Sequence, residues 1–600
     1  MRKITSLLLA GVVACGAYAK NGPKMAKDLD AALNLNSLSN VQVIIQWNTP
    51  ADYTRDLKVQ MRGGSVLSKF NSVNGGVYTL PAWAVRDLEN DADVAYITPD
   101  RSLTAKLDNS AAAVNASAAW SAGFTGKGIG VALIDSGLNN DPNLKNAAYS
   151  YDFTVAQYAA VAQSVLGTVT APLGVNASLP PSTSAPDQFG HGQHVAGIIA
   201  SNGQSSSCNN CTRTFQGIAP GVSLIDFRVL DQNGQGTDSN VILAIDAAIA
   251  LKNVLNIKVI NMSLGRPVFE SYTQDPLCQA VEAAWKAGIV VVVAAGNDGR
   301  DNTFGEQGYS TIEAPGNDPY VITVGAMKTE GTYTRTDDLI ASYSSKGPTQ
   351  VDHIVKPDIV APGNRVVSLL AKNSTLQSEY PSNAVPFSYY ESGLSSKNAS
   401  KASPNYFILS GTSMAAPVVS GAAADLLQAN PNLTPDQIKL LLMQSAYKTF
   451  PVSSTVTDST GTYTDYYDIF TVGAGYLDIN AALSQVNSVP AGGTAMSPVA
   501  NYNSTTGVVT VSYDLSSVWA NQSLWASQSI WASQSIWPTS VLNGNQCIWP
   551  TQSIWGQASV SASQSLWGAQ SIWASQSIWD SQSIWDSQSI WDSQSIWGEQ

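Results

Sequence analysis

Between about residue 110 and residue 485 the chain alternates apolar, strand-like runs with helical patterns, and this alternation constrains the fold most strongly. The runs cover 129–134, 222–229, 259–262, 289–294 and 321–324, and helical periodicity separates several of them, as over 240–255 and 279–287. Continuous apolar runs suit strands buried on both faces, and their alternation with helices suits parallel crossovers. The fold class expected is α/β, a mostly parallel sheet sandwiched by helices. Reactive groups in such sheets gather beyond the carboxyl ends of the strands.

Three segments carry residues able to do chemistry. Asp135 closes the first apolar run and is followed by Ser136 and Gly137. A carboxylate there is well placed for a site, although such residues often only cap a turn. His191 stands in Gly190-His191-Gly192-Gln193-His194-Val195-Ala196-Gly197. This reads as the first turn of a helix whose glycines allow another chain close approach. His194 falls three residues on, on the same face. A zinc-protease pair needs a spacing of four with an intervening Glu, so His194 reads as a hydrogen-bonded structural residue. Ser413 stands in Ser410-Gly411-Thr412-Ser413-Met414-Ala415-Ala416-Pro417, which opens a helix of small residues. A serine there is ordinarily a cap, but free N–H groups and the helix dipole at the same place favour developing negative charge. Pro417 is expected in the first turn, where its missing N–H is harmless.

Each segment alone has a plain structural explanation. Together, in the chain order Asp, His, Ser, they resemble the three signature blocks of the subtilisin-like serine proteases, the subtilases. The resemblance covers roughly 110–485. It implies a subtilisin-like fold and a serine endopeptidase working through an acyl-enzyme, with Asp135, His191 and Ser413 as the catalytic residues. His191 would take the proton from Ser413 while Asp135 holds the imidazole tautomer. The run Val259-Ile260-Asn261-Met262-Ser263-Leu264-Gly265 resembles the strand lining the substrate cleft, so Ser263, Leu264 and Gly265 are expected to bind substrate. The run from Val292 to Gly299 resembles the block whose Asn297 completes the oxyanion hole, with Ala295 and Gly296 beside the substrate. Segments 356–363 and 473–478 are similar to structural signatures near the domain's end. Structural Ca2+ is expected from the same resemblance, with its ligands unknown.

Glu313, in Ser310-Thr311-Ile312-Glu313-Ala314-Pro315-Gly316, falls on the position that resembles the floor of the main specificity pocket. A carboxylate there favours Lys or Arg before the scissile bond through charge-assisted hydrogen bonding. The competing reading pairs Glu313 with a protein cation or turns it to solvent. After Lys448 the remaining 152 residues contain no Lys or Arg, so an enzyme preferring basic residues would spare its own tail.

The flanks have other characters. Residues 1–19 have the layout of a signal peptide: Arg2 and Lys3, an apolar stretch, then Ala17-Tyr18-Ala19. Cleavage after Ala19 is expected, with lipid attachment at Cys15 as the alternative. Residues 20–108 read as a small α+β unit with strands near 41–47, 76–80 and 94–97 and a helix near 82–88. Ahead of a protease domain at 109–485, such a unit is expected to be a folding-assisting, inhibitory propeptide, with Arg101 to Leu107 offering basic residues for maturation. Residues 486–518 are expected to be a linker. From Trp519 a repeat of six residues returns twelve tryptophans, at 519, 525, 531, 537, 549, 555, 567, 573, 579, 585, 591 and 597. An even period keeps one strand face, so a β-solenoid is one reading of 519–600 and a disordered, low-complexity tail is the other.

The partners expected are polypeptide substrates and the chain's own propeptide, with the cell surface or a glycan for the tail. A net charge of −13 without a basic cluster argues against nucleic acid. The pair Cys208 and Cys211 is expected to form a local disulfide, since no second Cys or His pair at ligand spacing completes a zinc site. A rival of a different class is a surface adhesin built on a degenerate protease scaffold.

Overall fold

A computed structural model of the chain describes residues 24–26, 29–30, 33, 40–100, 102–105, 113–155, 182–302, 307–332, 334–458, 460–490, 492–503 and 508–512. The expected signal segment, the Trp repeat, Cys15, Cys547, Arg101, Lys106 and Leu107 lie outside the described residues.

The N-terminal unit is a four-stranded antiparallel sheet with two helices. Its elements are β1 (Asn40–Trp47), α1 (Tyr53–Gln60), β2 (Ser65–Lys69), β3 (Gly75–Pro81), α2 (Ala82–Glu89) and β4 (Val94–Pro99), with strand order β2-β3-β1-β4. Helix α1 and strand β2 carry weak apolar patterns and were not among the sequence expectations. Strand alternation divides the unit's apolar residues between two cores. Val43, Ile45 and Trp47 join the unit's own cluster, whereas Ile44 joins the core of the larger unit. Past β4 the chain forms β5 (Ser102–Ala105).

The larger unit is built on an eight-stranded sheet, and its centre is covered on both faces. Every residue of β6 (Gly130–Asp135) and β12 (Val290–Ala294) is buried. The other elements that position the site are β7 (Ala147–Asp152), α3 (His191–Ala200), β8 (Ser223–Arg228), β9 (Gly236–Thr237), α4 (Asp238–Leu251), β10 (Ile257–Met262), β11 (Leu264–Gly265), α5 (Pro276–Lys286), β13 (Ile322–Lys328), β14 (Leu339–Ile340), β15 (Ile359–Pro362) and α6 (Thr412–Ala429). Strand order is β14-β13-β12-β10-β6-β8-β7, with β15 beside β13. All of these pairings are parallel except β13 with β14. From β6 the chain builds out through β7 and β8 on one side and then crosses to β10, β12 and β13 on the other. The order therefore reverses at β6, and a crevice belongs at its carboxyl end. Asp135 is the last residue of that strand.

Helix α6 packs on α3 and on β10, β12 and β13, while α4 and α5 pack on each other. The helix expected over 240–255 starts earlier and stops earlier. Thr237 caps it through a hydrogen bond from the Asn240 N–H, and Leu251 ends it. Beyond α3, Cys208 and Cys211 are joined in a disulfide as expected. Cys278 is a buried free thiol whose Sγ lies 3.3 Å from Asn317 Oδ1.

Part of the stretch expected as linker is instead folded. Ser497 is buried, donates to Asp358 Oδ1 at 2.5 Å and accepts from Lys439 Nζ at 2.8 Å. The reason lies in the interior beside it: buried Lys356, Lys439 and Asp358 need every donor and acceptor matched.

Candidate active site

The sheet and the first turns of two helices bring the candidate residues together. Gly190, with φ 110°, turns the chain into α3, so His191 is the first helical residue. His191 Nδ1 lies 2.6 Å from Asp135 Oδ1, with both side chains fully buried. Gly192 makes this approach possible, because a Cβ there would sit 2.4 Å from the Gly137 carbonyl oxygen.

Asp187, which the motifs did not bring out, braces the pair. Its Oδ1 accepts from Ser136 Oγ at 2.9 Å and from the Gly190 N–H at 2.7 Å, and its Oδ2 accepts from the Gln193 N–H at 2.8 Å. Ser136 Oγ in turn accepts from the Gly192 N–H at 2.8 Å. The carboxylate thus ties the turn after Asp135 to the turn that carries His191. Burial pushes Asp187 up to about 6, against the pull of these hydrogen bonds. His194 has the structural role expected of it. Its Nε2 lies 3.2 Å from the carbonyl oxygens of both Val366 and Phe407. Burial, reinforced by the neighbouring His191, holds His194 well below the usual imidazole range.

Gly411, with φ 153°, precedes α6, so Ser413 is its second residue and not its cap. The Ser413 N–H is one of the four at a helix start that lack an intrahelical acceptor. Pro417 lies inside the helix, contrary to the first-turn expectation, because the helix begins as early as Thr412 and Pro417 is its sixth residue. Its missing N–H frees the carbonyl of Ser413, four residues back. Ser263 Oγ takes that role, donating to Ser413 O at 2.6 Å. In the other direction Ser413 Oγ donates to Ser263 O at 3.1 Å. The serine is held from both sides by the residue that precedes β11.

Asn297 is oriented by Thr412. Its Oδ1 accepts from the Thr412 N–H at 2.9 Å, which fixes the amide and leaves the Nδ2 hydrogens to be donated elsewhere. Thr412 Oγ1 also donates to Gly296 O at 3.1 Å. A pocket beside Ser413 is lined by Leu264, Gly265, Ala294, Gly296, Asn297, Glu313 and Thr412. The backbone of Ala295, a residue expected beside the substrate, ties two neighbouring segments together: its N–H donates to Val324 O and its carbonyl accepts from the Glu313 N–H, each at 3.0 Å. Glu313 is half-buried and packs between two glycines. A Cβ on Gly265 would meet Glu313 Oε2 at 2.3 Å, and one on Gly296 would meet Glu313 Cγ at 2.7 Å. The glycines make room for this side chain.

Strand β5 runs antiparallel between β9 and β11. Ser102 and Leu103 pair with Thr237 and Gly236, and Thr104 and Ala105 pair with Gly265 and Leu264.

Subtilases generally bind structural calcium. Among the described residues, one group of three or more His, Cys, Asp or Glu side chains gathers its ligand atoms closely: Cys208, Cys211 and Glu391. Two of its members are joined in the disulfide, and calcium takes oxygen ligands. The described side chains therefore do not offer a carboxylate cluster that fits this ion.

A family model described as the Subtilase family matches residues 126–475. The chain is 35% identical over 390 residues to the serine protease AprX of Bacillus subtilis (strain 168), covering 64% of this chain and 76% of AprX. It is 31% identical over 394 residues to subtilisin E of the same strain, covering 65% and 79%. Among solved structures, fervidolysin from Fervidobacterium pennivorans, a keratinolytic enzyme related to subtilisin, aligns with a TM-score of 0.51 at 21% identity. That alignment covers 76% of this chain and 62% of fervidolysin, and it speaks to fold alone. The family match runs from the glycine turn before β6 to the segment beyond α6 and so takes in the whole site, which makes this chain a member of the subtilase family and a serine endopeptidase of the subtilisin type.

Proposed function

We propose that Ser413 is the nucleophile, His191 its base and Asp135 the partner that orients the imidazole and balances its charge. The observation that carries this reading is the buried 2.6 Å Asp135–His191 hydrogen bond, on a helix that packs against the one bearing Ser413. As Ser413 Oγ bonds to the scissile carbonyl carbon, its proton passes to His191. The carbonyl oxygen, now negative, receives hydrogen bonds from Asn297 Nδ2 and the Ser413 N–H. Collapse expels the amine, protonated by His191, and leaves an acyl-enzyme that water cleaves by the same transfers in reverse order. Ser263, Leu264 and Gly265 hold the substrate backbone.

We read the N-terminal unit as an inhibitory propeptide, supported by β5 lying in the slot where a substrate strand would add. An antiparallel ladder advances residue for residue. A chain bound in this register therefore presents the residue after the partner of Leu264 to Ser263 and Ser413, and in this sequence Lys106 follows Ala105. Maturation at Lys106–Leu107 is the reading that follows. Glu313 in the pocket supports preference for Lys or Arg before the scissile bond. Residues 2–19 support secretion.

Labelling of the mature protein with a fluorophosphonate tests the catalytic reading. An adduct on Ser413, lost in Ser413→Ala, is expected; folded protein that takes no label would favour the adhesin. The labelled protein should begin at Leu107. Glu313→Gln should lower kcat/KM on Lys and Arg substrates about 10- to 100-fold, as loss of a charge-assisted hydrogen bond implies. Cleavage products showing no basic preference would overturn the role given to Glu313.

A further inference from the structure

The slot that takes β5 has two walls, β9 and β11, and each wall is followed in the chain by a charged residue. Asp238 follows Thr237, and Arg266 follows Gly265. These two side chains meet beneath the cleft. Arg266 Nε lies 2.9 Å from Asp238 Oδ1, and Nη2 lies 3.0 Å from Oδ2, a two-pronged pair. Nη2 also donates to both oxygens of Asp275, at 2.9 and 2.8 Å. Arg266 is 2% exposed and the two aspartates are fully buried.

The guanidinium is anchored to further elements. Asp238 begins α4, and Asp275 caps α5 by accepting from the Leu277 N–H at 2.9 Å. The Arg266 backbone donates to Ala314 O at 3.1 Å and accepts from the Ala314 N–H at 2.8 Å. That exchange fastens the β11 wall to the loop of Glu313. One residue therefore links both walls and two helix starts through its side chain, and the loop of Glu313 through its backbone.

A strand bound on both edges needs walls two strand spacings apart, roughly 9.6 Å, and hydrogen bonds weaken quickly when that span drifts. Buried ion pairs add little net stability over apolar packing, but their fixed geometry is unforgiving when one partner is removed. We propose that the Arg266–Asp238 pair sets the span of the substrate slot, acting as a positioning pair for extended peptides and not for short ones. The register gives the reason for this split. Residues that pair with β11 lie nearest the catalytic serine, whereas those that pair with β9 precede them in the chain and lie farther from it. A one-residue substrate never reaches β9. Neither side chain touches the peptide in this role, which rests on Ser413 being the nucleophile.

The test uses mature enzyme whose active sites are counted with a fluorophosphonate. Two substrates share a leaving group and the residue preferred in profiling: an acetylated single-residue amide and a pentapeptide amide. In Asp238→Asn, and in Arg266→Lys, which keeps the charge but loses the fork, kcat/KM on the pentapeptide should fall about tenfold. The short substrate should stay within about twofold in both variants. An unchanged ratio between the two substrates, in whichever variants fold and label, would overturn the proposal. Wild-type enzyme that takes no label would instead sink the catalytic reading, so the two failures are distinct.

Discussion

Asp187 shows what one buried carboxylate does at the scale of a residue. It has three donors on its two oxygens, so an amide in its place would turn an NH2 group toward an N–H or hydroxyl donor. We expect Asp187→Asn to lower kcat about tenfold or more with little change in KM, since the disturbed turns carry the catalytic pair and not the pocket. Its titration adds a second readout. The folded-state value of about 6 lies above the ordinary 3.8, so the folded protein keeps this proton where the unfolded chain has lost it. The stability linked to Asp187 is therefore full below 3.8 and is lost as pH rises through about 6. The Asn variant should flatten that part of the stability curve; denaturant midpoints measured across the window would reject the assignment if the slope were unchanged. Nothing in the sequence separates Asp187 from an ordinary loop acid. Asp135 was legible because it closes an apolar strand run, and His191 and Ser413 because each stands where a loop gives way to a helix rich in small residues.

Helix α6 carries the corresponding lesson for an element. Its existence was plain from its small residues, but its start depends on the φ of Gly411, which composition does not reveal. Placing Pro417 inside the helix gives the Ser263 side chain a role of its own, as the donor that satisfies Ser413 O. Ser263→Ala should cost about 1–3 kcal/mol, the range for an unsatisfied buried acceptor. In a Pro417→Ala background the helix regains its own N–H at that carbonyl, so the same change should cost about 1 kcal/mol less. Asn261 Nδ2 loses its contact to Ser263 Oγ in both backgrounds, so that loss cancels in the cycle. Additive costs from chemical denaturation would rule out the substitution of donors.

For the whole molecule, the question is how two units hold each other. Asp246 of α4 accepts from the N–H groups of Asn71 at 2.6 Å and Ser72 at 2.7 Å, and burial lifts its carboxyl to about 6. Asp100 reaches the other way, accepting from the Ser239 N–H at 2.9 Å. Asp246→Ala should loosen the N-terminal unit and shorten the lag before full activity by about tenfold or more, given two lost charge-assisted bonds. A progress curve with the wild-type lag would exclude this contact as a brake. Such long-range pairs explain where sequence reading stopped. The layered sheet follows from apolar runs that are local, whereas Asp246 with Asn71, or Arg266 with Asp238, joins positions that no periodicity connects.

The slot between β9 and β11 also bears on which targets can be cut. A chain lying there must offer hydrogen-bonding groups along both of its edges at once. A segment inside a helix has already committed those groups, and a strand inside a sheet has neither edge to spare. Native proteins should resist this enzyme except at stretches that have come loose from their own structure. The state of folding of a target, before any preference for a side chain, would then decide where it is nicked.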